Sequence, residues 1–439
     1  MSNFKFQLAV FVGRIVRFFG KFVDRSTNLP GSIAMKICPN FLSQFKFKGK
    51  IIAVTGSNGK TTTSNLIAHI LRENGYSVAN NSEGANISAG IATTLLVNCD
   101  YSGFVDYDFV VLETDERYSP LIYKHFQPDY FLINNLFRDQ VVRNGNPDII
   151  FDKISAAIGP DVTLVLNAQD PIINRLAPEN KRILFGMERT ERSEEKSVFL
   201  THDCKVCPQC FHTLKYDFYH FNHIGQFHCD NCGYSAQTPD YVASDVDFES
   251  GDYKINGVDA HVTYNTIFHF MNSTGAVAVC TEVGVPIEKA IEALGTFQVS
   301  RERYDEMEFD GRKYVLILTK QNAASLDQSI SFVLSQPGEK TALLYVNNVL
   351  YTEKKDISWL YDVTFERLKG NVDSIVCSGT RALDIAVRLR LGGFDDDEMV
   401  VVNDIDNIKE DMKKTKGTVY ILAASAFGNE DGIIAALSK

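Results

Sequence analysis

The sequence predicts an α/β protein with two large domains. Each has a parallel-rich sheet; the first is built on a phosphate-binding loop and carries a small metal-stapled insertion. Three observations carry this expectation. First, Val54-Thr55-Gly56-Ser57-Asn58-Gly59-Lys60-Thr61-Thr62 follows an apolar run, Lys50–Val54, and precedes a helical pattern with Leu66, Ile67, Ile70 and Leu71 on one side. Second, short apolar runs alternate with helical patterns along most of the chain, as in sheets covered on both faces. Third, Cys207-Pro208-Gln209-Cys210 and Cys229-Asp230-Asn231-Cys232 give C-x2-C-x18-C-x2-C, the spacing of a zinc ribbon.

Strand, Gly-rich turn and helix in that order form a phosphate cradle. Backbone N–H groups of Gly56, Ser57, Asn58 and Gly59 and of the helix start face an anion, and the helix dipole adds partial positive charge. Lys60 is placed to reach the terminal phosphates, and the Thr61 hydroxyl to sit on Mg2+, with Thr62 completing the turn. An ordinary strand–helix turn would not need Gly56, Gly59, Lys60 and Thr61 together. ATP or a close relative is the expected ligand.

The totals narrow the class. A chain of 439 residues with 45% apolar content forms two or three domains with real cores. No run reaches the ~18 uncharged apolar residues of a spanning helix, and no secretory signal pattern is present. Five of the nine Cys lie between Cys204 and Cys232, which indicates metal or redox use rather than a disulfide framework. A cytoplasmic address is expected. The net charge is −11, yet the first fifty residues carry nine Lys/Arg against one Asp. The acidic remainder argues against a nucleic-acid-binding sleeve.

Residues 1–48 form an N-terminal basic amphipathic segment. Arg14, Arg17, Lys21 and Arg25 share one helical face over residues 4–25, opposite Leu8, Phe11, Val12, Ile15, Phe18, Phe19 and Phe22. Such a helix either lies on an anionic membrane surface or docks on the body with its charges solvated. Surface helices of globular proteins favour docking. Leu29-Pro30-Gly31 is expected to break the helix.

Residues 49–304 form the ATP-binding domain. Its first helix ends at Asn74-Gly75, a C-cap signal. The strand Phe109–Leu112 runs into Glu113-Thr114-Asp115-Glu116, and a carboxylate at a strand's C-terminal end beside a phosphate loop suits Mg2+. Glu113, nearest the strand, is the candidate; a solvated loop acid is the alternative. Further strands are expected at 130–133, 163–166 and 182–186. Between about 200 and 240, Cys207, Cys210, Cys229 and Cys232 would hold a structural Zn2+, closed to catalysis. Cys204 competes with this set, and five of the nine His fall nearby. A helix of small residues opens at Phe268 and carries Asn272, and another spans Ile287–Leu294.

Residues 305–439 form a Rossmann-like α/β domain with strands at 313–320, 342–346, 374–377, 400–402 and 419–423. Its polar loop 347–362 holds Asp356-Ile357-Ser358-Trp359, with the chain's single Trp. This reads either as a functional or interface patch or as a capped helix start packed by Trp359.

These motifs occur in the order seen in the Mur ligase family, which the chain resembles over nearly its whole length. The phosphate loop with Thr-Thr, the strand ending in Glu113, Asn135-Leu136-Phe137-Arg138-Asp139, Leu166-Asn167-Ala168-Gln169-Asp170 and the Asn272 helix carry the resemblance. The four-Cys insertion and the Asp356 loop narrow it to the ligase-like subunits of lipid II isoglutaminyl synthases. So does the lack of a long N-terminal UDP-sugar-binding domain.

The resemblance implies ATP-dependent amidation of the α-carboxylate of D-glutamate in the lipid II stem peptide through an acyl phosphate. Ammonia would come from a class I glutamine amidotransferase subunit (GatD-like) in a heterodimer. It implies that Gly56 to Thr62 surround the phosphates, that Thr61 and Glu113 hold Mg2+, and that Asn272 reads adenine. Arg303 would meet the γ-phosphate. Asp356 would complete the partner's Cys-His pair in trans by orienting the His and stabilising its cation.

The match has departures. Residues 320–328 differ from the usual Lys-Asn-Pro-Ala-Gly-type run, Glu302 stands where a Gly is common, and Gln140 stands where many Mur ligases have a metal-binding His. The alternatives are a self-sufficient Mur- or folylpolyglutamate-type amino-acid ligase, and a non-catalytic ATP/Zn scaffold.

Overall fold

The computed structural model describes residues 2–438 except 24–25, 83–84, 139–145, 264, 299–303, 349–355, 403–404 and 425–430. The chain divides into two compact units. The first comprises residues 1–136, 147–196 and 204–298, and the second comprises 137–146, 197–203 and 299–439.

The first unit is organised by a nine-stranded sheet. Its spatial order is Val258–His261, Asp252–Ile255, Tyr241–Ser244, Arg182–Met187, Thr163–Asn167, Tyr130–Ile133, Lys50–Thr55, Phe109–Glu113 and Val78–Asn80. The pairings from Tyr241–Ser244 through Val78–Asn80 are parallel, whereas Asp252–Ile255, in the terminal hairpin, is antiparallel to both Tyr241–Ser244 and Val258–His261. That hairpin turns at Asn256-Gly257, both with positive φ, the geometry of a tight hairpin. The central strands are buried along nearly their full length because helices cover both faces, which is why they read as unbroken apolar runs. Lys50–Thr55 lies between Tyr130–Ile133 and Phe109–Glu113, where the chain order reverses. Crevices at such switch points, beyond the C-terminal strand ends, bind ligands.

The N-terminal segment packs into this unit in a way the sequence pattern did not indicate. The helix Ser2–Gly20 ends before residue 25, and a second helix runs Leu29–Ile37. Leu29-Pro30-Gly31 therefore starts a helix instead of only breaking one. Proline fits a first turn, where its missing N–H would have no intrahelical partner. Gly31 lies where a Cβ would stand 1.9 Å from the Ala89 carbonyl oxygen, so only glycine admits the crossing with the helix Ser88–Asn98.

The basic face is also not simply solvated. Arg14 points inward and donates to the carbonyls of Leu96 and Cys99 at the end of Ser88–Asn98, while Arg17 donates to Ser26 O at 2.9 Å. Phe6, Ala9 and Val10 are buried, whereas most of the aromatic face named above is exposed. The inward and outward faces are thus rotated from the expected ones. Arg25 lies outside the described residues.

The insertion is a hairpin, Lys215–Phe221 with Ile224–His228, flanked by two Cys turns. It packs on the sheet domain. Tyr234 donates to Pro171 O at 2.7 Å, Gly225 N donates to Gln169 O at 3.0 Å, and Phe227, Cys207 and Cys229 join the main apolar core.

The second unit has a six-stranded sheet in the order Tyr304–Phe309, Arg312–Leu318, Thr418–Ala424, Lys340–Val346, Ser374–Ser378, Met399–Val401. Only the first strand is antiparallel; it joins the second through Asp310-Gly311. Helices Ala323–Ser335 and Ala382–Leu391 are the longest described in this unit.

Candidate functional site

The phosphate loop is shaped by two glycines and held by three asparagines. Gly56 and Gly59 have φ of +131° and +84°, conformations that side-chain-bearing residues rarely adopt. A Cβ at Gly59 would lie 2.1 Å from Asn272 Nδ2 and 2.9 Å from Asn134 Nδ2. Asn135 receives the Asn58 N–H on Oδ1 at 3.0 Å, and its backbone carbonyl receives the Ser57 N–H at 3.0 Å. Asn134 Nδ2 donates to Asn58 O at 3.2 Å. The strand Tyr130–Ile133 thus delivers Asn134 and Asn135 beneath the loop, and the helix Ile267–Glu282 delivers Asn272 against it.

The helix then begins at Lys60, with Thr61 and Thr62 in its first turn, and its first intrahelical acceptor, Gly59 O, is taken by Thr63 N at 2.9 Å. Its N-terminal amides and dipole place partial positive charge at the loop.

Lys60 is buried. Its Nζ donates to Gly56 O at 2.6 Å and to Glu116 Oε1 at 2.7 Å, and Glu116 is buried with it. Glu116 was one of four acidic or hydroxyl residues visible after the strand, but proximity to the strand singled out Glu113. The Lys60 pairing depends on the turn Thr114–Tyr118 folding back over the loop, which spacing alone does not reveal. Asp115 takes a separate role. Burial pushes its pKa up, but the Arg117 side chain and Lys60 outweigh that and hold it below the ordinary carboxylate value.

Glu113 lies opposite Val54 in the parallel ladder, two residues before Gly56. Its Oε1 accepts from Asn86 Nδ2 at 2.8 Å, while its Oε2 is buried with no partner among the described residues. A buried anionic oxygen left in this state is costly unless a cation satisfies it. The Glu113 oxygen therefore fits a divalent ion as its partner.

The four ribbon thiols converge. The sulfurs of Cys207, Cys210, Cys229 and Cys232 all lie within 4.8 Å of one another, with Cys207–Cys232 at 3.6 Å and Cys210–Cys229 at 3.4 Å. Sulfurs ~2.3 Å from a tetrahedral Zn2+ stand about 3.8 Å apart. Each turn is closed by a backbone bond, Phe211 N to Cys207 O and Gly233 N to Cys229 O, both at 2.9 Å.

Cys204 and the nearby histidines stand outside this group. Cys204 is buried, with its thiol pushed up to about 12 by burial. No His joins the cluster among the described residues. His220 is buried between Ser193 Oγ and Met187 O, and burial lowers its pKa to about 4, so it is neutral.

Asp356 belongs to the second unit. Its Oδ1 accepts the Ser358 N–H at 3.0 Å, two residues on, just before the short helical turn Ser358–Asp362, in which Trp359 and Leu360 are buried. Trp359 is thus a packing residue, and the Asp356 carboxylate stands at the start of this turn. Arg138 reaches the far end of that turn, pairing with Asp362 at 3.4 Å, and its backbone N–H donates to Asp203 at 3.0 Å.

The altered run 320–328 folds as a well-formed helix start. Asn322 accepts the Ser325 N–H at 2.7 Å, and Asp327 accepts the Thr364 N–H at 2.8 Å. Arg303, Glu302 and Gln140 lie outside the described residues.

A model of the Mur ligase middle domain matches residues 54–237, and one of the MurT ligase C-terminal region matches 318–426. The MurT subunit of lipid II isoglutaminyl synthase (glutamine-hydrolyzing) from Staphylococcus aureus is 32% identical over 372 residues, which are 84% of this chain and 83% of that protein. The corresponding subunit of Streptococcus pneumoniae is 27% identical over 96% of this chain and 95% of its own length. Among solved structures, a pseudomurein peptide ligase type C from Methanothermus fervidus superposes with a TM-score of 0.68. It is 19% identical and covers 90% of this chain and 80% of its own. MurF from Acinetobacter baumannii reaches a TM-score of 0.67 at 16% identity over 92% of this chain and 80% of its own. These two likenesses show the fold.

Proposed function

The chain belongs to the Mur ligase family, in its MurT branch, and from that premise we propose that it is the ATP-consuming subunit of a lipid II amidating enzyme. The observation that carries this reading is the buried constellation at the phosphate loop. There Lys60, the amides of Gly59 to Thr62, and the partnerless Glu113 oxygen face one switch point of the sheet.

ATP is a substrate in this reading. An oxygen of the D-glutamate α-carboxylate attacks the γ-phosphorus, and the bond to the β,γ-bridging oxygen breaks, releasing ADP. Ammonia then attacks the acyl carbon, phosphate departs with the C–O electron pair, and the nitrogen loses a proton to leave a primary amide. A magnesium ion, when bound, neutralises phosphate charge. Glu113 and the Thr61 hydroxyl are the residues to hold it. Lys60 leaves Glu116 for the terminal phosphate, and Arg303 adds a second positive charge there. Asn272, against Gly59, is suited to read the nucleotide base. A zinc ion in the four-Cys site keeps the insertion folded and has no open position for chemistry.

The ammonia comes from a glutamine amidotransferase subunit of the GatD kind. Asp356 completes that partner's Cys-His pair across the interface, a role consistent with its place beside the packed Ser358–Asp362 turn. The test is amide formation on lipid II, followed by mass spectrometry, with the chain and its partner supplied with ATP and glutamine. Conversion that requires both subunits supports the proposal. Conversion with an added amino acid and no partner would replace it with a self-sufficient ligase. Asp356→Asn should abolish glutamine-driven conversion and leave ammonium-driven conversion in place. Equal loss of both would remove the in-trans role.

A further inference from the structure

The helix Ser2–Gly20 has two apolar faces, and the first unit uses only one. Phe6, Ala9 and Val10 are buried, with Phe6 stacked on Phe41 at 5.1 Å between ring centroids. The other face presents Phe4, Leu8, Phe11, Ile15, Phe18 and Phe22 at intervals of four, three, four, three and four. These side chains are 41–77% exposed. Nothing among the described residues of the first unit covers them.

This outward orientation is fixed. Arg14 donates to the carbonyls of Leu96 and Cys99, and its guanidinium lies 5.0 Å from the Tyr101 ring centroid. Rolling the Phe face inward would break both hydrogen bonds and expose Phe6.

We propose that this stripe is a docking face for an anionic lipid bilayer, on which the helix lies flat. Charge selects the occupant. Arg14 and Arg17 are held on backbone carbonyls, but Lys5 and Lys21 are exposed beside the stripe and residues 2–23 contain no acid, while the chain beyond residue 50 is strongly acidic. Only this end of the protein is drawn to an anionic surface, and the acidic body is held off it. A second copy pairing through the same stripe would set lysine against lysine with no acid within residues 2–23 to compensate. No described helix is long and apolar enough to cross a membrane, so the contact is interfacial. The inference does not depend on the amidation reading, although a lipid-linked substrate would give the contact a purpose.

The experiment is flotation of the full chain with two kinds of vesicle, equal parts phosphatidylglycerol and phosphatidylcholine, or phosphatidylcholine alone. The comparison is the triple variant Phe11→Ser/Phe18→Ser/Phe22→Ser. These positions are exposed, so the fold should persist, with unchanged ATP binding and melting temperature as the check.

The expected result is binding of the wild type to the anionic vesicles, weakened at least ~10-fold in the variant, in 0.5 M salt and on the neutral vesicles. Failure of the wild type to float, or equal flotation of the variant, overturns the proposal. So does a wild-type dimer that the variant converts to a monomer, since the stripe would then belong to a second copy. ATP-dependent amidation of detergent-dispersed substrate should be equal in both proteins, so failure here leaves the amidation reading standing, and the reverse.

Discussion

Lys60 Nζ and Glu116 Oε1 stand 2.7 Å apart, both buried beside the phosphate loop. The ammonium proposed above to meet a phosphate is held by an internal carboxylate, with Gly56 O as a further acceptor at 2.6 Å. Glu116→Gln removes the counter-charge and leaves a buried cation, a change that costs ~3–5 kcal/mol when nothing replaces it. Nucleotide phosphates would replace it. The variant should therefore melt earlier than wild type without ATP and gain more from saturating Mg-ATP. Scanning calorimetry with and without nucleotide checks this. An equal gain in both proteins would mean that Lys60 stays on Glu116 when ATP binds. Lys60→Ala should slow amide formation about 100- to 1,000-fold, as loss of one phosphate-stabilising donor does.

Glu113 offers a cation one buried oxygen without a partner. Glu113→Gln puts a neutral amide there, while its remaining oxygen still accepts from Asn86. The expected phenotype is a rise of about tenfold or more in the magnesium concentration for half-maximal ATPase, with a melting temperature no lower than wild type. Titrating Mg2+ at fixed ATP measures it. Asp115→Asn, which loses the Arg117 ion pair and a negative charge near Lys60, should leave the magnesium requirement unchanged.

The four-Cys cluster should hold one zinc per chain. Cys207→Ser or Cys229→Ser removes a ligand whose turn is part of the main core, so both should lose the metal and much of the insertion's stability. Cys204→Ser should keep full zinc content, because its thiol is not in the group of four. Elemental analysis of the purified variants distinguishes the two sets. Metal loss on Cys204→Ser would reinstate the competing ligand set.

The phosphate loop and the cysteine knuckles were legible because each is a local pattern that imposes its own geometry. Glycines at positive φ and C-x2-C turns need no distant residue to be recognised. The central strands were legible for a related reason: both faces are covered, so their sequences are continuously apolar. Two further features were not legible, for opposite reasons. The Lys60–Glu116 pair spans 56 positions and depends on how one turn folds. The N-terminal helix carries apolar residues on two sides, so periodicity could not say which of them goes inward. Arg14 finding the carbonyls of Leu96 and Cys99 decided that. The hairpins at Asn256-Gly257 and Asp310-Gly311 do carry an ordinary local turn signal, Asn-Gly and Asp-Gly with both residues at positive φ.

Asp327 gives a pH-dependent prediction in the second unit. Its carboxyl is fully buried, and burial raises its pKa from 3.8 to about 7, against the lowering effects of the Thr364 N–H, Arg367 and the Thr364 hydroxyl. In the unfolded chain it would ionise near its ordinary value. Between about pH 4 and 7 the native state therefore holds a proton that the unfolded state has lost, and stability falls as pH rises through that window. The total is on the order of a few kcal/mol, complete above about pH 7. Asp327→Asn can keep an oxygen for the Thr364 N–H while offering an amide to the Thr364 hydroxyl, and it carries no charge at any pH. Relative to wild type, the variant should be more stable at pH 8 than at pH 5. Urea unfolding of the full chain, followed by Trp359 fluorescence, reads this directly, because Trp359 is buried in the turn four residues before the capped segment at Val363 and Thr364. A stability difference that is the same at both pH values would show that Asp327 is ionised throughout, with Arg367 outweighing its burial.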